Sequence, residues 1–159
     1  MVGDTALREG VLHLLRGGNA HVHFEKAVGK LAEDLRGKKP RGVPYTPWQQ
    51  VEHMRIAQWD ILEYIRNPKH VSPEWPAGYW PAAAPPRRTA WAKSVKEFQT
   101  DRQALLDMAA DPSTDLLGRV PADPEGPTIL HELLLVADHN AYHLGQLVLL
   151  RRLLGAWED

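Results

Sequence analysis

The sequence predicts an all-α fold, an antiparallel four-helix bundle (up-down-up-down), with residues 1–159 forming a single domain. Three observations predict it. Apolar residues recur at three- and four-residue spacing in four stretches, and none alternates as a strand would. Segments rich in Gly and Pro separate those stretches. Two of the stretches open on a Thr placed to cap a helix.

The first stretch runs from about Asp4 to Leu35, with Leu7, Val11, Leu14 and Leu15 on one stripe. Gly17-Gly18 is expected to kink or break it, after which Phe24, Val28, Leu31 and Leu35 resume the pattern. Residues 37–47 hold two Gly and three Pro and read as a loop. The second helix starts at Thr46-Pro47, a cap followed by a proline in the first helical position, and ends at Asn67-Pro68. From Pro68 to Arg88 lies a loop with six prolines and the aromatics Trp75, Tyr79 and Trp80. A loop of that length is either functional or packed down by its own side chains, and the aromatics favour packing. The third helix covers Thr89 to Ala110, closed by Asp111-Pro112, and a second loop reaches Pro127. Thr128 caps the fourth, Ile129 to Leu154, which is apolar round most of its circumference. It is therefore expected to be the most buried helix, the one the others pack around.

Composition excludes several function classes. Net charge is −1, and the basic clusters Lys38-Lys39-Arg41, Arg87-Arg88 and Arg151-Arg152 are short and far apart. Without a basic face there is nothing to displace counterions from phosphates, so no nucleic-acid partner is expected. The chain has no cysteine. That rules out disulfides, thiolate metal sites and a cysteine nucleophile, leaving His, Asp and Glu for metal and acid–base chemistry. No signal-like or membrane-length apolar run is present, so cytoplasmic residence without a membrane partner is expected.

Eight histidines remain to be explained. That many in 159 positions gives roughly 0.4 pairs at any chosen spacing by chance, so one His-x-x-x-His says little by itself. Placement says more. His139 and His143 lie one turn apart at the border of the apolar arc, in line with Glu132 and Leu150, while Asp138, His131 and Arg152 face the other way. Two buried imidazoles need partners, and one divalent metal serves both; hydrogen bonds to Glu, Tyr or backbone are the plainer alternative. His53 lies beside the apolar arc of the second helix, in line with Ala57, Asp60 and Tyr64. If the second and fourth helices run parallel across the core diagonal, a suitable stagger brings His53 to the pair. Three imidazoles would then make a three-ligand site with one position open.

The other histidines read as ordinary. His21 and His23 face different sides, His13 sits on the Leu-rich early stretch, His70 in a loop and His131 on the polar side. His21 is the one best placed to reach the interior. His131-Glu132 lacks the second histidine of a zincin, since Leu135 stands there, and no Glu has a His three residues on as di-iron bundles require. Asp60 or Glu132 could complete a two-His-one-carboxylate iron site, but two turns from the nearest ligand on their helices they suit supporting roles better.

The segments Trp48-Gln-Gln-Val-Glu-His53 and Asp138-His-Asn-Ala-Tyr-His-Leu-Gly-Gln146, with the Trp- and Pro-rich connection after the second helix, resemble the DinB-like superfamily over essentially the whole chain. The resemblance implies a four-helix bundle with a three-histidine metal site at His53, His139 and His143. It also implies zinc or nickel as the divalent metal, a homodimer, and for some members transfer or isomerisation with a low-molecular-weight thiol. Such a metal would activate an external thiol for transfer, or a water for hydrolysis of an ester or amide, acting on a small-molecule substrate. Asp60, Tyr64, Glu132 and Gln146 are the candidates for orienting or proton-transfer roles, Gln146 as a support behind His143. The competing class is a non-enzymatic metal- or ligand-binding stress-response protein.

Overall fold

The structure is a computed structural model and describes residues 2–85 and 87–158; Pro86, one of the six prolines counted above, lies outside them. Its elements are α1 (Val2–Arg16), α2 (Phe24–Val28), α3 (Glu33–Arg36), α4 (Pro47–Arg66), a 3-10 turn (Ala77–Tyr79), α5 (Ala90–Ala110) and α6 (Ile129–Leu153). The chain is helical, with no strand among the described residues beyond a lone Arg119–Thr128 bridge. Among the described residues no helix is long and apolar enough to cross a membrane.

The last three long helices lie where the apolar periodicity puts them, and their starts follow from capping. Thr46 accepts from the Gln49 backbone N–H while the Gln49 side chain accepts from the Thr46 N–H, a reciprocal box behind Pro47. Thr128 accepts from the His131 N–H and opens α6.

The first stretch differs: it is three short helices instead of one interrupted helix. Gly17 and Gly18 stand at φ 68° and 81°, a left-handed pair that ends α1. Lys30, at φ 56°, turns the chain again between α2 and α3. Phe24, Val28 and Leu31 are nonetheless buried, because periodic burial survives two changes of direction. Arg151 from α6 fixes this region by donating to the carbonyls of Lys26, Ala27 and Gly29, and to Ala156.

The helix directions correct the sequence picture. α4 packs directly on both α5 and α6, and α1 on α5 and α6. The pairs Gln50–Gln146, His53–His143 and Gln58–Asn140 run in opposite order, so α4 and α6 are antiparallel neighbours and not a parallel diagonal pair. Between α4 and α5 the order is the same: Trp48 and Met54 share a core cluster with Trp91 and Phe98, and Leu62 and Ile65 share another with Leu105 and Ala109. The alternation of a simple up-down bundle therefore fails at α4–α5. The loop after α4 explains it. Returning along a 20-residue helix means covering about 30 Å, or roughly nine extended residues, so a short turn could not serve.

α6 is not the most buried helix. Leu134, Leu135, Tyr142, Leu149 and Leu153 are exposed along it, while α4, touching α5 and α6 together, buries 11 of its 20 residues.

Candidate metal centre

The antiparallel packing of α4 on α6 brings His53 onto the His139–His143 turn. His53 and His143 are buried and His139 half-buried. The Nε2 of His53 lies 3.2 Å from the Nε2 of His143 and 3.1 Å from that of His139. One ring nitrogen from each residue falls within 4.8 Å of the others, so the group could hold a metal ion.

The hydrogen bonds of the opposite ring nitrogens decide what those Nε2 atoms are. His53 Nδ1 lies 3.0 Å from the Tyr79 carbonyl, which can only accept, so Nδ1 carries the proton. His143 Nδ1 lies 2.8 Å from Gln50 Oε1, and the Gln50 amide N–H is spent on Gln146 Oε1 at 2.9 Å. His143 is therefore protonated on Nδ1 as well. Two Nε2 lone pairs then face each other across 3.2 Å with no hydrogen between them.

Protonation cannot relieve that contact cheaply. Burial, with the neighbouring imidazoles acting in the same direction, takes His143 down to about 3; burial and His53 take His139 down to about 4. Burial lowers His53 also, against the opposing bond to Tyr79. Two neutral imidazoles with opposed lone pairs, and a third ring nitrogen 3.1 Å from one of them, make a group that could hold a metal ion. The spacing agrees: metal–nitrogen bonds of 2.0–2.1 Å in a tetrahedral arrangement set ligand nitrogens about 3.3 Å apart.

The returning loop runs antiparallel along α4 and is fastened to it at four levels. His70 Nε2 (2.7 Å) and Tyr79 O–H (2.6 Å) both meet Asp60; the Tyr79 carbonyl meets His53; the Gln49 amide donates to Pro81; the Thr46 hydroxyl donates to Ala83. Trp80 then stacks on the His53 ring at 3.9 Å and 4°, with Tyr45 stacked on Trp80 at 4.0 Å. The loop thus fixes both the tautomer and the plane of one imidazole.

Of the four candidates for proton transfer or orientation, the structure brings two to the centre and leaves two away. Asp60 lines the same cavity as the histidines but is engaged by His70 and Tyr79. Gln146 supports His143 only through Gln50. Tyr64 donates to Asp123 at 2.8 Å, with burial and that carboxylate pushing its pKa up to about 12. Glu132, buried one helical stretch earlier, does not line the cavity; burial raises its pKa, with Asp60 acting in the same direction. His21 is exposed, its Nδ1 on the Val22 carbonyl, and does not enter the cluster. His70, set aside as ordinary, is the Asp60 partner.

Three contributors escaped sequence reasoning: Gln50, the Tyr79 carbonyl and Trp80. Gln50 had a signal, as a glutamine one turn before His53 on a face that is otherwise apolar. The other two had none, since backbone carbonyls and ring stacking across a crossover leave no spacing to read.

The sequence profile described as the DinB superfamily matches residues 20–147. No curated protein and no solved structure matches the chain.

Proposed function

Because this chain belongs to the DinB superfamily, we infer that it is a four-helix bundle of that type holding one divalent metal, zinc or nickel, on His53, His139 and His143, and that it is a metal-dependent transferase using a small-molecule thiol. The observation that carries the metal reading is the pair of opposed Nε2 lone pairs at 3.2 Å, each fixed by an acceptor behind its ring. A divalent metal there supplies Lewis acidity, which lowers the pKa of a thiol or water bound to it.

The chain's own residues do the rest. Tyr79 and Gln50 hold the imidazole protons on Nδ1, so Nε2 stays available to a ligand. Trp80 and Tyr45 wall the histidines on one side. The transferase reading is favoured over a hydrolase by the state of the would-be bases. Asp60 is held by two partners, Tyr64 is spent on Asp123, and Glu132 lies outside the cavity. A thiol, a far stronger acid than water, would need less help from a protein base to ionise at such a metal.

Protein purified without a histidine tag should carry one equivalent of metal by elemental analysis, lost in His143→Ala and retained in His131→Ala. The loaded protein should conjugate a small thiol to an electrophile and stop when a chelator strips it. Metal retained in His143→Ala would overturn the site. Metal bound without turnover on a thiol-plus-electrophile panel, while ester substrates are cleaved or nothing reacts, would replace the transferase by the hydrolase or by a binding protein.

A further inference from the structure

All three histidines open onto one cavity of about 700 Å³, a volume suited to a small organic ligand. Its walls restrict what that ligand can be. Tyr45, Trp80 and His53 form one side as a continuous stack, with their faces occupied by one another. Trp75 and Tyr142 are different: they line the same cavity yet are 72% and 66% exposed. Trp75 is steadied by a tilted contact with the Tyr79 ring at 5.4 Å, and Tyr142 by an edge contact with His143 at 4.9 Å. Two anchored aromatic rings left in water at the mouth of a cavity are surfaces that a flat apolar group would cover.

Charge narrows the choice further. Among the described residues, the ionisable side chains in the lining other than the histidines and tyrosines are Asp60 and Asp138, the latter at the cavity and not on the far face its spacing predicts, and no Lys or Arg joins them. At the mouth, away from any ion on the histidines and from Asp60, which His70 and Tyr79 already engage, an anionic group meets the Asp138 carboxylate with no lining Lys or Arg beside it, while a cationic group meets that carboxylate and the aromatic faces.

We propose that this cavity binds a flat aromatic ligand that is uncharged or cationic, held by Trp75 and Tyr142 beside Asp138, and rejects anionic aromatics of the same size. The ligand is the second substrate of the thiol transfer, and in that naming alone the proposal rests on the function inferred above.

The test titrates the metal-loaded and the metal-free full chain with phenyltrimethylammonium, benzyl alcohol and benzenesulfonate, following tryptophan fluorescence and confirming by calorimetry. On the metal-free chain phenyltrimethylammonium and benzyl alcohol should saturate, with benzenesulfonate about 25-fold weaker than the cation, about fivefold each for the attraction of one and the repulsion of the other by one exposed carboxylate at contact distance. Asp138→Asn should bring the cation and the sulfonate towards equal affinity. Trp75→Ala should weaken every probe while leaving metal content unchanged. Equal or tighter binding of benzenesulfonate to the metal-free chain overturns the proposal, as does saturation by no probe. A chain that takes up no metal but still ranks the probes as stated refutes the metal reading and supports the ligand preference; a chain that holds metal while its metal-free form ranks them otherwise does the reverse.

Discussion

Acid should unfold the metal-free protein through its buried imidazoles, by an amount the site itself sets. In the folded chain His139 and His143 titrate near 4 and 3 because burial, and the imidazoles beside them, disfavour the charged form. Unfolded, each returns to about 6.5. A folded pKa below the unfolded one means that the unfolded chain binds protons first as pH falls, so stability is full above pH 6.5 and declines below it. At pH 5.5 the unfolded chain gains about 1 kcal/mol from each histidine while the folded chain gains almost nothing, roughly 2–3 kcal/mol for the pair. His53, also lowered, acts with the same sign. With a urea slope of about 2 kcal/mol per molar, the unfolding midpoint should fall by about 1–1.5 M between pH 7.5 and 5.5 on this account alone. The assay is urea unfolding with chelator at both pH values, comparing the natural chain with His139→Asn/His143→Asn. The carboxylates titrate alike in both, so the difference isolates the two imidazoles. Equal losses in the two proteins would refute the claim that these rings are held neutral by the fold.

Three further outcomes follow from named contacts. Gln50→Leu removes the acceptor behind His143 and leaves Gln146 without its donor, so metal affinity, read by competition with a chromogenic chelator, should fall about 10- to 100-fold with helicity by circular dichroism retained. Arg151→Met strands four carbonyls, of Lys26, Ala27, Gly29 and Ala156, and should cost about 3 kcal/mol in urea unfolding. Gly18→Ala puts a Cβ into the His23 ring at φ 81° and should cost about 1–2 kcal/mol, whereas Gly10→Ala, in open helix, should be neutral or stabilising.

The limits of α4, α5 and α6 and the shared face of His139 and His143 were legible because each is a local property. Thr46 and Thr128 announce caps, and His139 and His143 share a helix face by spacing alone. Direction was not legible. Periodicity identifies the buried face of α5 without saying which way α5 runs beside α4, and the diagonal, parallel arrangement supposed for His53 was replaced by direct antiparallel contact. The length of the Pro68–Arg88 segment held that information, since only a return along α4 needs so much chain. The first stretch misled because Phe24, Val28 and Leu31 keep helical spacing through Lys30, where the backbone is left-handed. The packing expected of Trp75, Tyr79 and Trp80 alike holds for Trp80, although nothing pointed to His53 as its partner, and fails for Trp75, which stands exposed at the cavity.

The four-level fastening of the loop to α4 has a consequence for anyone who would re-engineer this scaffold. Residues 79–83 behave as part of the scaffold, because Tyr79, Pro81 and Ala83 present carbonyls to His53, Gln49 and Thr46 in step with the helix. Insertions there would shift the register and drag an imidazole out of line. The stretch 71–75, between the His70 and Tyr79 anchors on Asp60, is where length and sequence can be varied as in an antibody loop, recasting the mouth of the cavity while the histidines stay where they are.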